Sequence, residues 1–117
     1  MNDREEIIIE ENQVSVLDAG KHRINSDGSA TYRLVFPKTI RMKTNNAEKI
    51  EELDEIIIKR PCGSDLRKIN KIKDQLEAGV EAFFLLTGHP HAVFDKLDGI
   101  DIKNIGEIVG QFTGESQ

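Results

Sequence analysis

The chain has 117 residues, of which 38% are hydrophobic and 32% charged, and its formal net charge is -5. These values are typical of one folded domain with a modest core, and the negative charge argues against a general nucleic-acid binder, which needs an excess of Lys and Arg. The single cysteine, Cys62, excludes an internal disulfide framework. No apolar stretch approaches the roughly 20 residues of a membrane span, and the acidic start MNDREE is unlike a secretory signal.

The first half of the chain, residues 1–60, has the pattern of short β-strands. The runs EIIIE at 6–10 and QVSVLD at 13–18 are rich in β-branched side chains, which favour strands. The sequence Ser-Asp-Gly-Ser at 26–29 predicts a turn, because Gly accepts a positive φ and Asp bonds nearby backbone N–H groups. We therefore expect a β-rich half with a tight turn near its middle.

A long hairpin is expected to follow this turn. Residues 32–36 and 39–43 alternate apolar and polar side chains, and Pro37 between them predicts either an edge strand or a bulge. The next stretch is ambiguous, because it combines helical spacing of apolar residues with a β-branched run. We favour a loop or short helical turn over 44–51, followed by a strand over 53–59 that pairs back on the first strand.

Pro61 ends the β-rich half, and helical patterns follow it. Ser64 predicts the N-cap of a first helix, and apolar positions continue at helical spacing as far as Leu76. Gly79 predicts a kink or break in this helix, because an interior Gly costs about 1 kcal/mol relative to Ala.

Two further helices are expected near the end of the chain. Gly88 predicts a C-cap, and Pro90 predicts the first residue of a short helix over 90–97. Asp101 predicts the cap of a last amphipathic helix. The expected fold is a single α+β domain with an N-terminal antiparallel β-sheet or hairpins in 1–60, three or four short α-helices in 61–113, and a tail at 114–117.

Few residues could form a catalytic or metal site. His89 and His91 flank Pro90, but a zinc site needs three or four ligands, and the spacing to His22 and Cys62 matches no ligand pattern. A Cys–His nucleophile pair is conceivable at Cys62, but no oxyanion hole or third orienting group accompanies it. We interpret the two histidines as surface residues of a turn between helices, and we expect no enzyme activity, cofactor or metal.

A cationic run crosses the junction between the two halves of the chain. Its members are Lys59, Arg60, Arg67, Lys68, Lys71 and Lys73. Acidic residues interleave with it, and no aromatic side chains accompany it for base stacking. The run is interpreted as a solvated helix face, with contact to an acidic protein partner as the alternative.

The last predicted helix carries a glycine at every fourth position, beside an apolar arc. The glycines and the arc are Gly106, Gly110, Gly114, Ile102, Ile105 and Val109. Such a stripe lets another helix approach closely, but it weakens its own helix by about 1 kcal/mol for each interior glycine. The stripe is expected to pack on this protein's own helices, to fray at the chain end, or to bind a partner helix.

Several short motifs occur in an order that resembles a known family. They are an apolar-Phe-Pro strand, a basic-Arg-Pro strand end, an Asp-Leu helix start, a Leu-Thr-Gly turn, a Leu-Asp step before a further Asp, and a final helix ending in Phe. In this chain they are Phe36-Pro37, Lys59-Arg60-Pro61, Asp65-Leu66, Leu86-Thr87-Gly88, Leu97-Asp98 with Asp101, and Phe112. Over residues 32–112 the chain resembles the phage tail assembly chaperones of contractile-tailed phages with Mu-like and P2-like tails. Residues 1–30 and the stretch 44–53 depart from the family pattern.

The resemblance implies a chaperone that acts in the cytoplasm of the infected host. Such proteins bind the long, largely helical tape measure protein, keep it soluble, help to recruit tail tube subunits, and are absent from the finished virion. A longer form made by translational frameshifting is common in the family and is a further expected partner. Neither nucleic acid nor a membrane is an expected partner.

The last two helices are the expected partner-binding surface, because their apolar face could cover an apolar helix of the tape measure protein. The predicted residues are Phe94, Leu97, Ile102, Ile105, Gly106, Val109, Gly110 and Phe112. The rival surface is an exposed edge of the sheet, which could add a strand from a tube subunit. Two other functions stay open, namely a small structural tail protein and a DNA-binding regulator with a helix-turn-helix around Gly88.

Overall fold

The computed structural model describes residues 17–114, which form a three-stranded antiparallel sheet followed by four helices. The strands are β1 (His22–Ile24), β2 (Ala30–Lys43) and β3 (Glu48–Ile58), and the helices are α1 (Gly63–Asn70), α2 (Gln75–Thr87), α3 (His91–Lys96) and α4 (Gly99–Phe112). The strands pair in the order β1-β2-β3. This arrangement confirms the predicted α+β class. The strand expected at 6–10, and all but the end of the one expected at 13–18, lie outside the described residues.

The predicted turn at 26–29 connects β1 to β2. The Asp27 carboxylate accepts hydrogen bonds from the Ser29 backbone N–H at 3.0 Å and from the Ser29 hydroxyl at 2.6 Å. These bonds, led by the one from the hydroxyl, lower the pKa of the Asp27 carboxyl. Gly28 has a φ of +91°, and a Cβ there would lie 2.9 Å from the Arg60 side chain, so this turn favours glycine for two reasons.

β2 and β3 form a long hairpin that turns at 44–47. Because β3 begins at Glu48, the expected loop or helical turn over 44–51 is wrong in its second half. Cross-strand contacts explain the early start: Arg41 Nη1 lies 3.1 Å from Glu48 Oε2, and the Thr39 hydroxyl donates to Glu52 at 3.2 Å. Such pairs offset the low strand preference of Glu and Lys at these positions.

β2 contains a bulge, where the register with β3 shifts between Arg33 and Lys38. Pro37 lies in this segment and cannot donate to the ladder, so the structure adopts the bulge of the two predicted alternatives. The bulge also directs the backbone N–H groups of Val35 and Phe36 to a partner outside the sheet. That partner lies on α4 and is described below.

The N-cap of α1 is Cys62 and not Ser64 as predicted. The Asp65 carboxylate accepts a hydrogen bond from the Cys62 backbone N–H at 3.0 Å. This arrangement is a capping box, in which the acidic residue at the third helical position closes the helix start. The bond from Cys62 is the largest cause that lowers the pKa of Asp65, and the Lys59 ammonium at 3.4 Å adds to it.

The first helical break also lies earlier than predicted. α1 ends at Asn70, whereas α2 runs without interruption through Gly79. The Asp74 carboxylate caps α2 by accepting from the Glu77 backbone N–H at 3.0 Å. A cap contributes about 1 kcal/mol, which is similar to the cost of an interior glycine. The cap at Asp74 therefore offsets Gly79, and the helix boundary lies at the cap and not at the glycine. The apolar stripe predicted to continue to Leu76 is therefore broken, and Leu76 is 66% exposed.

The later helix ends follow capping residues that are close to those predicted. Gly88 is the C-cap of α2 with a φ of 79°, which confirms the prediction. Pro90 is the N-cap of α3 and not its first helical residue. Asp98 caps α4, since its carboxylate accepts from the Ile100 backbone N–H at 3.0 Å. Asp101, the predicted cap, lies in the first turn of α4 and directs its side chain to the sheet.

The hydrophobic core lies between one face of the sheet and the helices. Its buried members are Ala30, Tyr32, Leu34, Leu53, Ile56 and Ile58 from the sheet, and Val80, Phe83, Leu86, Val93, Phe94, Leu97, Ile105 and Ile108 from the helical half. Within β2 the alternation of apolar residues places Tyr32 and Leu34 in this core, whereas Phe36, beyond the start of the bulge, is half exposed.

Candidate partner-binding site

An apolar groove of about 320 Å³ lies between α2 and α4. Its lining residues are Gln75, Leu76, Gly79, Ala82, Phe83, Phe94, Ile102, Ile105, Gly106 and Val109. Buried Phe83 and Ile105 belong to the core, whereas Leu76 is largely exposed at the opening. The groove is therefore an opening in the surface through which part of the hydrophobic core can be reached.

The two helices that form the groove each contribute a glycine to its lining. A Cβ added at Gly79 of α2 or at Gly106 of α4 would meet no heavy atom within 4 Å. Both positions therefore face open space, and neither glycine is required by close packing within this chain. Small residues of this kind allow the backbone of another helix to approach closely.

Five of the eight residues predicted to bind a partner lie together in this groove. They are Phe94, Ile102, Ile105, Gly106 and Val109. Phe94 and Ile105 are buried core residues that contribute only part of their surface, while Ile102 and Val109 are partly buried and Gly106 is exposed. The accessible part of the predicted surface is therefore smaller than the sequence pattern suggests.

The other three predicted residues, Leu97, Gly110 and Phe112, do not line the groove. Leu97 is buried in the core. The Arg60 guanidinium lies over the Phe112 ring at 4.9 Å from its centroid, and an Arg60 Nη2–H donates to the Phe112 carbonyl at 3.4 Å. Phe112 thus joins the end of α4 to the end of the sheet, a contact that stabilises the fold.

The wall formed by α2 was missed by reasoning from the sequence. Leu76, Gly79 and Phe83 are spaced by three and four residues, so they lie on one face of a helix. The expected break near Gly79 assigned them to different segments and hid this face. The same spacing would have identified the wall if α2 had been predicted as one helix.

α4 is attached to the sheet through one buried carboxylate. Asp101 is 0% exposed and accepts three hydrogen bonds, from the Tyr32 hydroxyl at 2.5 Å, the Val35 N–H at 2.8 Å and the Phe36 N–H at 3.1 Å. The last two donors are the N–H groups that the bulge directs away from the sheet. A buried carboxylate is tolerated only when such donors satisfy it. This cluster fixes the position of α4, and hence of one wall of the groove.

The Tyr32 hydroxyl is the centre of this attachment. It donates to Asp101 and accepts a hydrogen bond from the Asn104 side-chain amide at 2.9 Å. Burial, followed by the bond to Asp101, raises the pKa of Tyr32 to about 12. The phenol therefore stays protonated, and so able to donate, over the whole physiological range.

A second groove of about 430 Å³ lies between the distal part of the hairpin and α3. Its hairpin side includes Ile40, Met42 and Leu53, and its helical side includes Pro90 and Val93. The sequence did not predict it, because the second strand of the hairpin was expected to begin only at residue 53, whereas β3 begins at Glu48. It is more polar than the first groove, since it also includes Arg41, Glu51, His89 and Lys96.

The two histidines are held by aromatic and acidic neighbours. The His89 ring stacks on Phe83 at 6.0 Å between centroids, and the His91 ring meets Phe84 edge to face at 5.6 Å. His91 Nε2 also lies 3.4 Å from Glu81 Oε1. Within residues 17–114, no three His, Cys, Asp or Glu side chains are grouped so that they could hold a metal ion.

Cys62 is exposed at the start of α1. Its Sγ lies 3.3 Å from the Ser64 hydroxyl oxygen, and this contact is the largest cause that lowers the pKa of the thiol. The cationic side chains that follow on α1 are exposed, which agrees with a solvated helix face.

Comparisons of the chain with protein-family models, with curated proteins and with solved structures find no match. Among the helices of residues 17–114, none combines the length and the apolar character that crossing a bilayer requires. The function therefore has to be inferred from the groove, from the surfaces around it and from the order of the sequence motifs.

Proposed function

We propose that the protein is a phage tail assembly chaperone that binds the tape measure protein, keeps it soluble and helps to recruit tail tube subunits. The observation that supports this most directly is the apolar groove between α2 and α4, which offers a binding surface for the apolar face of a helix. The motifs that resemble the chaperone family supply the class of partner.

Contacts between the motifs that resemble the family support the proposal. The Lys59 backbone N–H donates to the Leu86 carbonyl at 2.9 Å, and the Lys59 ammonium lies 3.4 Å from Asp65. The Arg60 guanidinium lies over the ring of Phe112, at the other end of the helical half. Residues that are far apart in the sequence thus form one connected set of structural contacts, as expected if they specify a common fold.

The chemistry of the groove suits a helix better than a small molecule. Among the described residues that line it, Gln75 has the only polar side chain, so few of these groups could orient a small ligand by hydrogen bonds. An apolar helix face needs no such groups. Gly79 and Gly106 leave room for close approach, and the limited apolar area favours reversible binding, which displacement by the growing tail tube requires.

The charge of the chain is also suited to this role. Apolar faces of a tape measure protein would aggregate if they were left exposed in solution. A bound chaperone with a net charge of -5 covers such faces and adds charge repulsion between complexes. We place this activity in the host cytoplasm before the virion is complete, with a frameshifted longer form as a further partner.

A groove-filling variant tests the proposal. In Gly79→Leu with Gly106→Leu, the added Cβ atoms would meet no other heavy atom within 4 Å, and the two side chains would extend into the open groove. The matched control is Gly99→Leu, which lies at the start of α4, outside the groove, and also faces open space. Changing Phe112 would be less informative, because its contact with Arg60 stabilises the fold.

The measurement is co-expression with the tape measure protein encoded beside this chain. We expect the wild type and Gly99→Leu to solubilise and co-purify with the tape measure protein, and the double variant to lose both effects. Equal solubilisation by the double variant would remove the groove from the proposal. Failure of the wild type, with and without a frameshifted form, would contradict the function itself. Detection of the chain in finished virions would instead favour a structural tail protein.

A further inference from the structure

The distal part of the hairpin, residues 41–52, is exposed at every position. We call these residues, together with the paired segment back to Lys38 and Leu53, the arm. Apolar side chains are exposed on it, with Ile50 at 55% and Met42 at 38% exposure. A two-stranded ribbon is only marginally stable in water, and a third strand or a cover normally stabilises it.

Both long edges of the arm are without a partner among the described strands. β1 pairs with β2 only over Ala30–Tyr32, and no described strand pairs with β3 on its outer side. Beyond the bulge, the outer edge of β2 from Lys38 to Lys43 continues without a described neighbour. Unpaired N–H and C=O groups at such edges can bind a further strand.

The two edges carry opposite charges. Over 38–43, β2 contributes Lys38, Arg41 and Lys43 and no acidic residue. Over 48–55, β3 contributes Glu48, Glu51, Glu52, Asp54 and Glu55 against a single Lys49. Pairing of two β3 edges would therefore place acidic rows together, whereas pairing of a β3 edge with a β2 edge places acidic beside basic residues.

The hairpin itself shows that these two rows fit each other. Opposite residues of an antiparallel pair share a face of the ribbon, and Lys43 pairs with Glu48 while Arg41 pairs with Ile50. On that face the Arg41 guanidinium lies 3.1 Å from the Glu48 carboxylate. A second copy whose β2 edge lay against this β3 edge would repeat the same contacts in the same antiparallel sense.

We propose that the arm binds a second copy of this chain, with the outer edge of β3 in one copy paired to the outer edge of β2 in the next. This contact joins two different surfaces, so a pair of copies still presents one unused β2 edge and one unused β3 edge. Repetition of such a contact generates a ring or an open row of copies and not a closed pair. The inference concerns self-association and is independent of the tape measure protein.

Charge reversal on the arm tests this inference. One variant carries Arg41→Glu with Lys43→Glu, a second carries Glu48→Lys with Glu52→Lys, and a third carries all four changes. The first two remove the opposition of charge between the two edges, whereas the third reverses the charge at two positions of each row and keeps the net charge at -5. All four positions are exposed. Because Arg41 and Glu48 also pair within the hairpin, far-ultraviolet circular dichroism must first show that the one-sided variants keep the strand content of the wild type.

Sedimentation velocity of the full chain over a wide concentration range is the measurement. We expect the wild type to form species larger than a dimer in a salt-sensitive manner, each one-sided variant to associate at least about tenfold more weakly, and the exchanged variant to recover association. A wild type that stays monomeric or stops at a dimer would overturn the inference. One-sided variants that associate normally, or an exchanged variant that does not recover, would overturn it as well.

Discussion

The attachment of α4 to the sheet should depend on the charge of Asp101. In Asp101→Asn, the side-chain oxygen can still accept from two of the three donors, but the amide NH2 group must then face a backbone N–H of the bulge. In either orientation of the amide, Val35 or Phe36 loses its acceptor. The bonds that remain also change from charge-assisted to neutral, which roughly halves their strength.

The size of the effect follows from these losses. A hydrogen bond to a charged group contributes about 1.5–3 kcal/mol and a neutral one about 0.5–1.5 kcal/mol. Because the Val35 and Phe36 backbone is only partly buried, water can recover some of the loss, and we expect Asp101→Asn to lower the free energy of unfolding by about 2–4 kcal/mol. That is a large share of the roughly 5–15 kcal/mol that stabilises a typical domain.

Urea unfolding followed by far-ultraviolet circular dichroism measures this difference. With a slope of about 1.5 kcal/mol/M, the unfolding midpoint should fall by about 1.3–2.7 M. The matched control is Asp95→Asn on α3, which makes the same chemical change at an exposed position and should stay within about 0.5 kcal/mol of the wild type. If the two variants were equally stable, the buried carboxylate would not be what holds α4 in place.

Three further predictions concern contacts elsewhere in the fold. Tyr32 is the only tyrosine, and its pKa of about 12 lies above the ordinary value of 10.0; the stability it contributes is present below pH 10 and lost as the pH rises toward 12, by about 3 kcal/mol. Ultraviolet titration of tyrosinate should show this late ionisation, and Tyr32→Phe should flatten the alkaline loss of stability. An ordinary titration near pH 10 in the folded state would contradict the raised pKa. Arg60→Ala and Phe112→Leu should be non-additive by about 0.5–1 kcal/mol in a double-mutant cycle of unfolding free energies, and additivity would exclude a direct contact. Gly88→Ala should lower the melting temperature, because φ is +79° there and a left-handed Ala costs about 1–2 kcal/mol. Gly99→Ala should leave the melting temperature unchanged, and equal effects of the two variants would refute the C-cap argument.

The sequence predicted the fold class because its strongest signals are local. The turn at 26–29 and the C-cap at Gly88 were predicted correctly, since each depends on a glycine that adopts a positive φ. Helix starts were harder to predict from residue preference alone. Cys62 is a poor N-cap by preference, and it occupies that position because Asp65, three residues later, accepts its backbone N–H.

The remaining errors have a tertiary cause. The role of Asp101 could not be read locally, because its three donors lie on β2, more than sixty residues earlier in the chain. The early start of β3 at Glu48 depends on pairing with Arg41 across the hairpin. In both cases the partner is near in space and distant or ambiguous in sequence, so propensity and periodicity favoured the wrong alternative.

The candidate site shows the same distinction. The apolar arc of α4 was recognised, because Ile102, Ile105 and Val109 have helical spacing, and these residues do line the groove. Their burial could not be predicted, since it depends on where α2 packs against them. Phe112 continues the same helical spacing after Val109, yet its contact with Arg60 assigns it to the fold and not to the groove.

The resembling motifs and the exposed residues of the groove are therefore separate sets, although Phe83, Phe94 and Ile105 line the groove from the core. The resembling motifs include the capping residue Asp65, the buried carboxylate Asp101 and the contact partner Phe112, each of which stabilises a junction between elements. Leu76, Gly79 and Gly106 of the groove belong to none of these motifs. Variation in the motifs should thus change unfolding free energy first, whereas variation at the exposed groove positions should change partner binding at nearly constant stability. A variant such as Leu76→Ser, at a largely exposed position, should weaken binding without lowering the melting temperature, and a parallel loss of both would mean that groove and core cannot be separated.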